Sequence, residues 1–121
     1  MVEKKQGRII NIASRAWLGG VGQAPYTSAK AGMVGLTRTL AMELGRKGIT
    51  SNCIAPGLIR TPMMDEAPEK LIKSLLAKQP TGNFGEVDDI ANAVMFFADD
   101  ETGFITGQVF YVCGGRSLYA G

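Results

Sequence analysis

The chain contains no histidine and only two cysteines, Cys53 and Cys113. Without histidine it lacks the commonest metal ligand and the side chain that most often serves as a general base near neutral pH. Two cysteines are too few for a structural zinc site, so no metal is expected. Long apolar runs are missing too: no stretch reaches bilayer-spanning length, and no membrane association is expected. Residues 1–6 are polar, and the short apolar run after them ends at Ser14-Arg15, which does not read as a secretory leader. One disulfide is arithmetically allowed, but nothing secretory accompanies the pair. Free thiols in a cytoplasmic protein are therefore expected. Charge of one sign is equally scarce, with 13 basic and 11 acidic side chains giving +2. Lys4, Lys5 and Arg8 form a small basic group with no aromatic platform beside it. It reads as a solvated terminus, and no nucleic-acid partner is expected.

What is present is an ordinary globular balance, 45% hydrophobic and 20% charged in 121 residues, enough for one domain with a modest core. Residues 9–13 read as a buried strand in which Asn11 is the odd member. A glycine-rich stretch over 17–23 reads as a loop. Pro25 then precedes a helix whose buried stripe is expected at Ala29, Met33, Leu36, Leu40 and Leu44. Residues 49–55 form the next strand candidate, ended by Pro56-Gly57. Residues 62–80 hold a short amphipathic helix, with Leu71, Ile72, Leu75 and Leu76 opposed to Glu69, Lys70, Lys73 and Lys78. Residues 86–98 read as a stronger helix with a stripe of Val87, Ile90, Val94 and Phe97, and acids in its first turn. Residues 108–112 form a last strand before Gly114-Gly115. Strand, helix, strand, helices, strand is the order of an α/β arrangement with parallel pairing and about three strands.

Tyr26 and Lys30 stand four apart at the start of the first helix, so their side chains share a face. A tyrosine hydroxyl, with an ordinary pKa of about 10, is a poor acid-base group near neutrality, and a nearby ammonium favours the phenolate. Ser14, at a strand end, could meet the tyrosine across the glycine-rich loop and hydrogen-bond a reacting oxygen. The three together could pass a proton to or from an alcohol or carbonyl; a hydride would have to come from a cofactor. Tyr-x-x-x-Lys is also common on solvated helices, and a serine after a strand is an ordinary turn former. The pattern alone does not make an enzyme.

Three ordered blocks go further: Asn11-Ile12-Ala13-Ser14, Tyr26-Thr27-Ser28-Ala29-Lys30-Ala31-Gly32, and Asn52-Cys53-Ile54-Ala55-Pro56-Gly57-Leu58-Ile59-Arg60-Thr61. With Gly103-Phe104-Ile105-Thr106-Gly107-Gln108 and the closing Gly114-Gly115, they resemble the classical short-chain dehydrogenase/reductase family, and 3-oxoacyl-carrier-protein reductase-like members of it. The resemblance covers nearly the whole chain. It implies an oxidoreductase interconverting a small-molecule alcohol and carbonyl with NAD or NADP. Tyr26 would be the acid-base residue. Lys30 would assist it and bind the nicotinamide ribose, and Ser14 would polarise the substrate oxygen. Pro56 and Gly57 would wall the nicotinamide, Ile59 would offer its N–H to the carboxamide, and Thr61 would bind near it or the pyrophosphate. Residues 62–80 would be the variable substrate cover.

The chain departs from that pattern in three places. Cys113 stands where relatives commonly carry aspartate, and the loop between Ser14 and Tyr26 is slightly short. The glycine-rich dinucleotide loop of the first strand-to-helix turn has no counterpart, because Gly19-Gly20-Val21-Gly22 follows the serine strand instead. The resemblance therefore implies a partial Rossmann-like domain over residues 1–121, the C-terminal half of a doubly wound parallel sheet, with the N-terminal dinucleotide-binding half absent. Its first strand would become an edge. Alone, such a chain would be inactive or nearly so. Its partners would be further copies of itself in a homo-oligomer, or the missing half. The competing reading is a non-catalytic half-domain serving as an oligomerisation or interaction module.

Overall fold

The computed structural model describes residues 1–118, so the last three positions of the expected 1–121 domain lie outside the described residues. Three strands, β1 (Gly7–Ile12), β2 (Ile49–Pro56) and β3 (Val109–Val112), lie side by side in that order, all parallel. Parallel neighbours need crossover connections, and helices supply both. α1 (Ala24–Leu44) joins β1 to β2; α2 (Pro62–Asp65), α3 (Glu69–Ala77) and α4 (Val87–Ala98) lie between β2 and β3. β1 starts two residues earlier than the apolar run suggests, because Gly7 and Arg8 pair in register with Ile49 and Thr50. Among the described residues β1 and β3 are the outer strands of the sheet.

Adjacent residues of β2 point to opposite faces. Cys53 packs with Ala13 and Val34 under α1, and Ile54 packs with Ala93 and Phe97 under α4. The result is three layers, with β2 almost wholly buried between them. Gly48 turns the chain into β2 with φ 73°, and a Cβ there would collide with the Lys5 carbonyl.

The stripe of α1 differs from expectation. Its buried residues are Val34, Thr37 and Ala41, while Leu36 is half exposed. Small side chains let the helix approach the sheet closely, and a polar tie fixes the contact. The Asn11 amide donates to Thr37 Oγ1 at 2.9 Å, and Thr37 donates to the Met33 carbonyl at 2.8 Å. That tie explains the polar residue in an apolar strand. Asn52 does the same on the other side, donating to the Ile105 carbonyl at 2.8 Å and accepting from the Gln108 N–H at 3.1 Å, which brings β3 into register.

In α4 Glu86 is the cap rather than the first helical residue, and its N–H donates to Asp89 Oδ2 at 2.7 Å in a capping box. Val87, at the first helical position, is exposed instead of joining the stripe; Ala93 and Phe97 are the buried pair. Among the described residues no helix is long and apolar enough to cross a membrane.

Candidate active site

Ser14 follows the end of β1, where the chain bends into a 3-10 turn, Arg15–Leu18. Its backbone is extended and its Oγ accepts the Ala16 N–H at 3.1 Å, the work of a capping residue. Accepting leaves the hydroxyl proton free to donate elsewhere.

Proline in the first turn starts α1, which sets Tyr26 and Lys30 one turn apart. Lys30 Nζ stands 5.7 Å from the centre of the Tyr26 ring and donates to the Ile12 carbonyl at 3.3 Å. One ammonium thus bridges the strand that leads to the serine and the helix that carries the tyrosine. A second tie runs beside it, from the Thr27 hydroxyl to the Ala16 carbonyl at 3.0 Å. Tyr26 is half exposed. Its hydroxyl and that of Ser14 are not bonded to each other, so each is left to face a third group.

The remaining expected residues line the exit of β2. Pro56 is the last residue of β2, and the Gly57 N–H donates to the Val112 carbonyl at 2.9 Å. A Cβ on Gly57 would come within 2.7 Å of the Cys113 Cα, so the glycine is needed for close packing against Cys113. Ile59 pairs with Gly85 in an isolated bridge. Its two bonds, Arg60 N–H to the Gly85 carbonyl and Gly85 N–H to the Leu58 carbonyl, leave the Ile59 N–H without a backbone partner. Thr61 precedes α2, exposed, and makes no capping bond. An unpaired amide, an ammonium with donors to spare and an unpaired phenol suit a ligand bearing hydroxyls and a carboxamide. The donor set therefore fits a nicotinamide riboside.

Both cysteines are free and buried. Burial pushes the Cys53 thiol up, against smaller opposing effects from the Ala13 backbone, the Thr37 hydroxyl and the Lys30 charge. Burial also raises Cys113, yet hydrogen bonds from the Ser117 hydroxyl and from the N–H groups of Ser117, Gly115 and Arg116 together outweigh it, and its pKa falls below the ordinary thiol value. Among the described residues no cluster of histidine, cysteine or carboxylates could hold a metal ion.

Sequence reasoning missed Thr27, Arg15 and Ser117. Thr27 sits within a recognised block and could have been found there; the contact of Arg15 with Ser117 spans 102 positions and leaves no local signal. A cavity of about 660 Å³ opens elsewhere, lined by Gln79, Phe84, Phe96, Phe110, Tyr111 and Cys113 among others. Neither Ser14, Tyr26 nor Lys30 reaches it. Size would favour that cavity as a ligand site, but the Lys30 ammonium set between the Ile12 carbonyl and the Tyr26 ring favours the end of β1.

Comparison with known proteins bears on this arrangement. The family described as enoyl-(acyl carrier protein) reductase matches residues 1–117. The BbsD subunit of (2S)-((R)-hydroxy(phenyl)methyl)succinyl-CoA dehydrogenase from Thauera aromatica is 72% identical over 121 residues, covering 100% of this chain and 49% of that protein. The 3-oxoacyl-(acyl-carrier-protein) reductase FabG of Rickettsia felis is 44% identical over 119 residues, 98% of this chain and 49% of that protein. A crystal structure from Agrobacterium tumefaciens, provisionally described as a 2-deoxy-d-gluconate 3-dehydrogenase with bound NADP, superposes with a TM-score of 0.90 at 35% identity, covering 98% of this chain and 50% of that one. The chain spans about half the length of the curated relatives it matches. Its three-stranded parallel sheet is the corresponding part of their Rossmann-like fold. The chain belongs to the short-chain dehydrogenase/reductase family.

Proposed function

We propose that these residues are the proton-transfer part of an NAD(P)-dependent oxidoreductase that interconverts an alcohol and a carbonyl. The observation that carries the reading is the Lys30 ammonium, held between the Ile12 carbonyl and the Tyr26 ring. Ser14 donates its free hydroxyl proton to the substrate oxygen and orients it. Tyr26 gives its proton to that oxygen in reduction and takes it back in oxidation. The Lys30 charge steadies the negative charge left on the tyrosine oxygen. When bound, the nicotinamide supplies hydride transfer. Lys30, Tyr26 and the Ile59 N–H would hold its riboside and carboxamide, with Pro56, Gly57 and Thr61 around them.

The substrate class follows from two relatives, whose names give a hydroxylated acyl-CoA and a 3-oxoacyl carrier protein. A 3-hydroxyacyl or 3-oxoacyl thioester is the proposed substrate, covered by residues 62–80. The choice between NADH and NADPH is left to titration. The proposed setting is the cytoplasm, with both thiols free, as a homo-oligomer or beside a second half-domain.

For these 121 residues alone, little turnover is proposed. Their glycine-rich stretch, Gly19-Gly20-Val21-Gly22, follows the serine strand and is not read as a pyrophosphate cradle, and remote contacts of that kind help place the reacting centre. The test is reconstitution. The chain is mixed with the part of the Thauera relative that it does not match, and loss of NADH or NADPH absorbance is followed with a 3-oxoacyl thioester. Turnover in the mixture, weak turnover by the chain alone and none with Tyr26→Phe support the reading. Full turnover by the chain alone would overturn the claim of dependence on a second part. Silence of a folded mixture would overturn the catalytic role. It would favour the interaction-module reading, which draws on the free edge of β3 and the exposed rings of Phe96 and Phe110.

A further inference from the structure

The turn that Ser14 leads is short and irregular, so its orientation depends on ties to other elements. Two side-chain bonds supply them. The Thr27 hydroxyl binds the Ala16 carbonyl and ties the turn to α1. The Arg15 Nε–H donates to Ser117 Oγ at 3.2 Å and ties it to the other end of the chain, in the turn Arg116–Leu118 after β3. That second turn is seated on Cys113, whose carbonyl accepts the Arg116 N–H at 3.0 Å. Ser117, having accepted from Arg15, keeps a proton to donate, and against the raising effect of burial its hydroxyl, with the N–H groups of Ser117, Gly115 and Arg116, holds the Cys113 thiol below its ordinary pKa. Cys113 in turn lies directly against Gly57, beside Pro56. A continuous line therefore runs from the serine turn through Arg15, Ser117 and Cys113 to the wall at the exit of β2.

We propose that Arg15 is a positioning residue: with Ser117 and Cys113 it forms a clasp that holds the Ser14 turn against the Pro56-Gly57 wall. The proposal rests on the reading of Ser14 as the residue that polarises the substrate oxygen. It assigns a task to Arg15 that neither Tyr26 nor Lys30 can perform, because their ties reach only β1 and α1. An arginine suits it. Its planar donors fix direction as well as distance. Arg15 fixes the Ser117 hydroxyl that helps lower the Cys113 thiol pKa, so the two ends of the clasp report on each other. The other charged or titratable groups around the sulfur are Arg116 in its own turn, and Asp89 and Tyr111 lining the cavity it borders.

The test reads both ends in the chain as it stands, without cofactor. At one end, iodoacetamide labelling of Cys113 is followed by peptide mass from pH 6 to 10, with fully buried Cys53 as the monitor of unfolding. At the other, hydrogen exchange is followed at the Ala16 amide, which bonds Ser14 Oγ. In Arg15→Ala the labelling midpoint should rise by about one pH unit, the scale of one hydrogen bond to a charged group. Ala16 exchange should quicken about tenfold, with Cys53 still unlabelled. Ser117→Ala should reproduce both effects, and Arg15→Ala with Ser117→Ala should add little to either single change. Arg15→Lys, which keeps the charge without the fork, should restore part of the midpoint. An unmoved midpoint in Arg15→Ala, or effects of the two single changes that simply add, would overturn the clasp. Because neither readout needs turnover, failure of the clasp is distinguishable from failure of the catalytic reading, which reconstitution tests separately.

Discussion

Helices α1 and α3 relate pattern to packing in opposite ways. In α3 the apolar residues Leu71, Ile72, Leu75 and Leu76 stand apart from Glu69, Lys70 and Lys73, the cleaner amphipathic design of the two, yet no residue of the helix is buried. In α1 apolar residues are scattered around the axis, with Leu36 and Met42 exposed, yet Val34, Thr37 and Ala41 are sealed against the sheet. The difference lies in what each helix meets. α1 meets the sheet through small side chains against β2 and a polar tie to Asn11 of β1, contacts that accept one placement only. α3 offers a broad apolar face with no polar tie to the sheet to fix it. The helix that holds Tyr26 and Lys30 is thus the rigid one, and the helix proposed to cover the substrate is the adaptable one. That division suits the proposed roles, proton transfer on a fixed helix and a cover over the substrate.

The largest effect should come from the chemistry on α1. Tyr26→Phe removes one oxygen from a half-exposed side chain and leaves the packing alone. It should lower turnover in the reconstituted mixture by about 10²–10⁴-fold, the range of general acid-base catalysis, with an unchanged melting curve. Next is the tie that makes α1 rigid. Thr37→Val keeps the shape but strands the Asn11 amide, and should lower stability by about 1–3 kcal/mol in urea unfolding. An unchanged midpoint would mean that small-residue packing alone fixes the helix. On α3 the corresponding truncation, Leu75→Ala, should change stability by less than about 1 kcal/mol. It should raise KM for a long-chain thioester more than it lowers kcat. A loss as large as that of Thr37→Val would erase the contrast between the helices.

Much of this was legible in the sequence, and the limits have physical causes. Strand and helix order followed from periodicity and from the glycine and proline signals, because those reflect local backbone preference. The face of α1 was misread because Leu36 looks like core to any hydrophobic scale, while the helix buries Thr37 and Ala41 to approach β2 closely. Val87 was misread because it follows the Glu86 cap and lies outside the packed part of α4. Ser14, Tyr26 and Lys30 are proposed as a set on family resemblance, since Tyr-x-x-x-Lys alone is a common helix pattern. The contacts of Gly57 with Cys113 and of Arg15 with Ser117 were not legible at all. They arise from the return of β3 beside β2, and no local pattern records which residues the return brings together.

The smallest predicted effect separates the two thiols. Cys53 is raised in the fold, so the thiol form is favoured there. Its contribution to stability is complete below the unfolded thiol pKa, about 8.5, and fades as pH rises from there towards the folded value. Cys113 is lowered, so its contribution is present above the unfolded value and fades as pH falls through the folded one. In urea unfolding between pH 7 and 10, Cys53→Ala should flatten the alkaline loss of stability and Cys113→Ala should steepen it. The same change of slope in both variants would contradict the opposed environments.

The central claim is that Lys30 belongs to a working nicotinamide site on this chain. The measurement that tests it most directly is calorimetric titration of the 121-residue chain with NADH and with NADPH, for the parent sequence and for Lys30→Ala. The account predicts weak saturable binding of one of the two dinucleotides, reduced at least about tenfold by Lys30→Ala, the scale of one lost charged hydrogen bond. Binding that Lys30→Ala leaves untouched, or no binding of either dinucleotide by a folded sample, would contradict it.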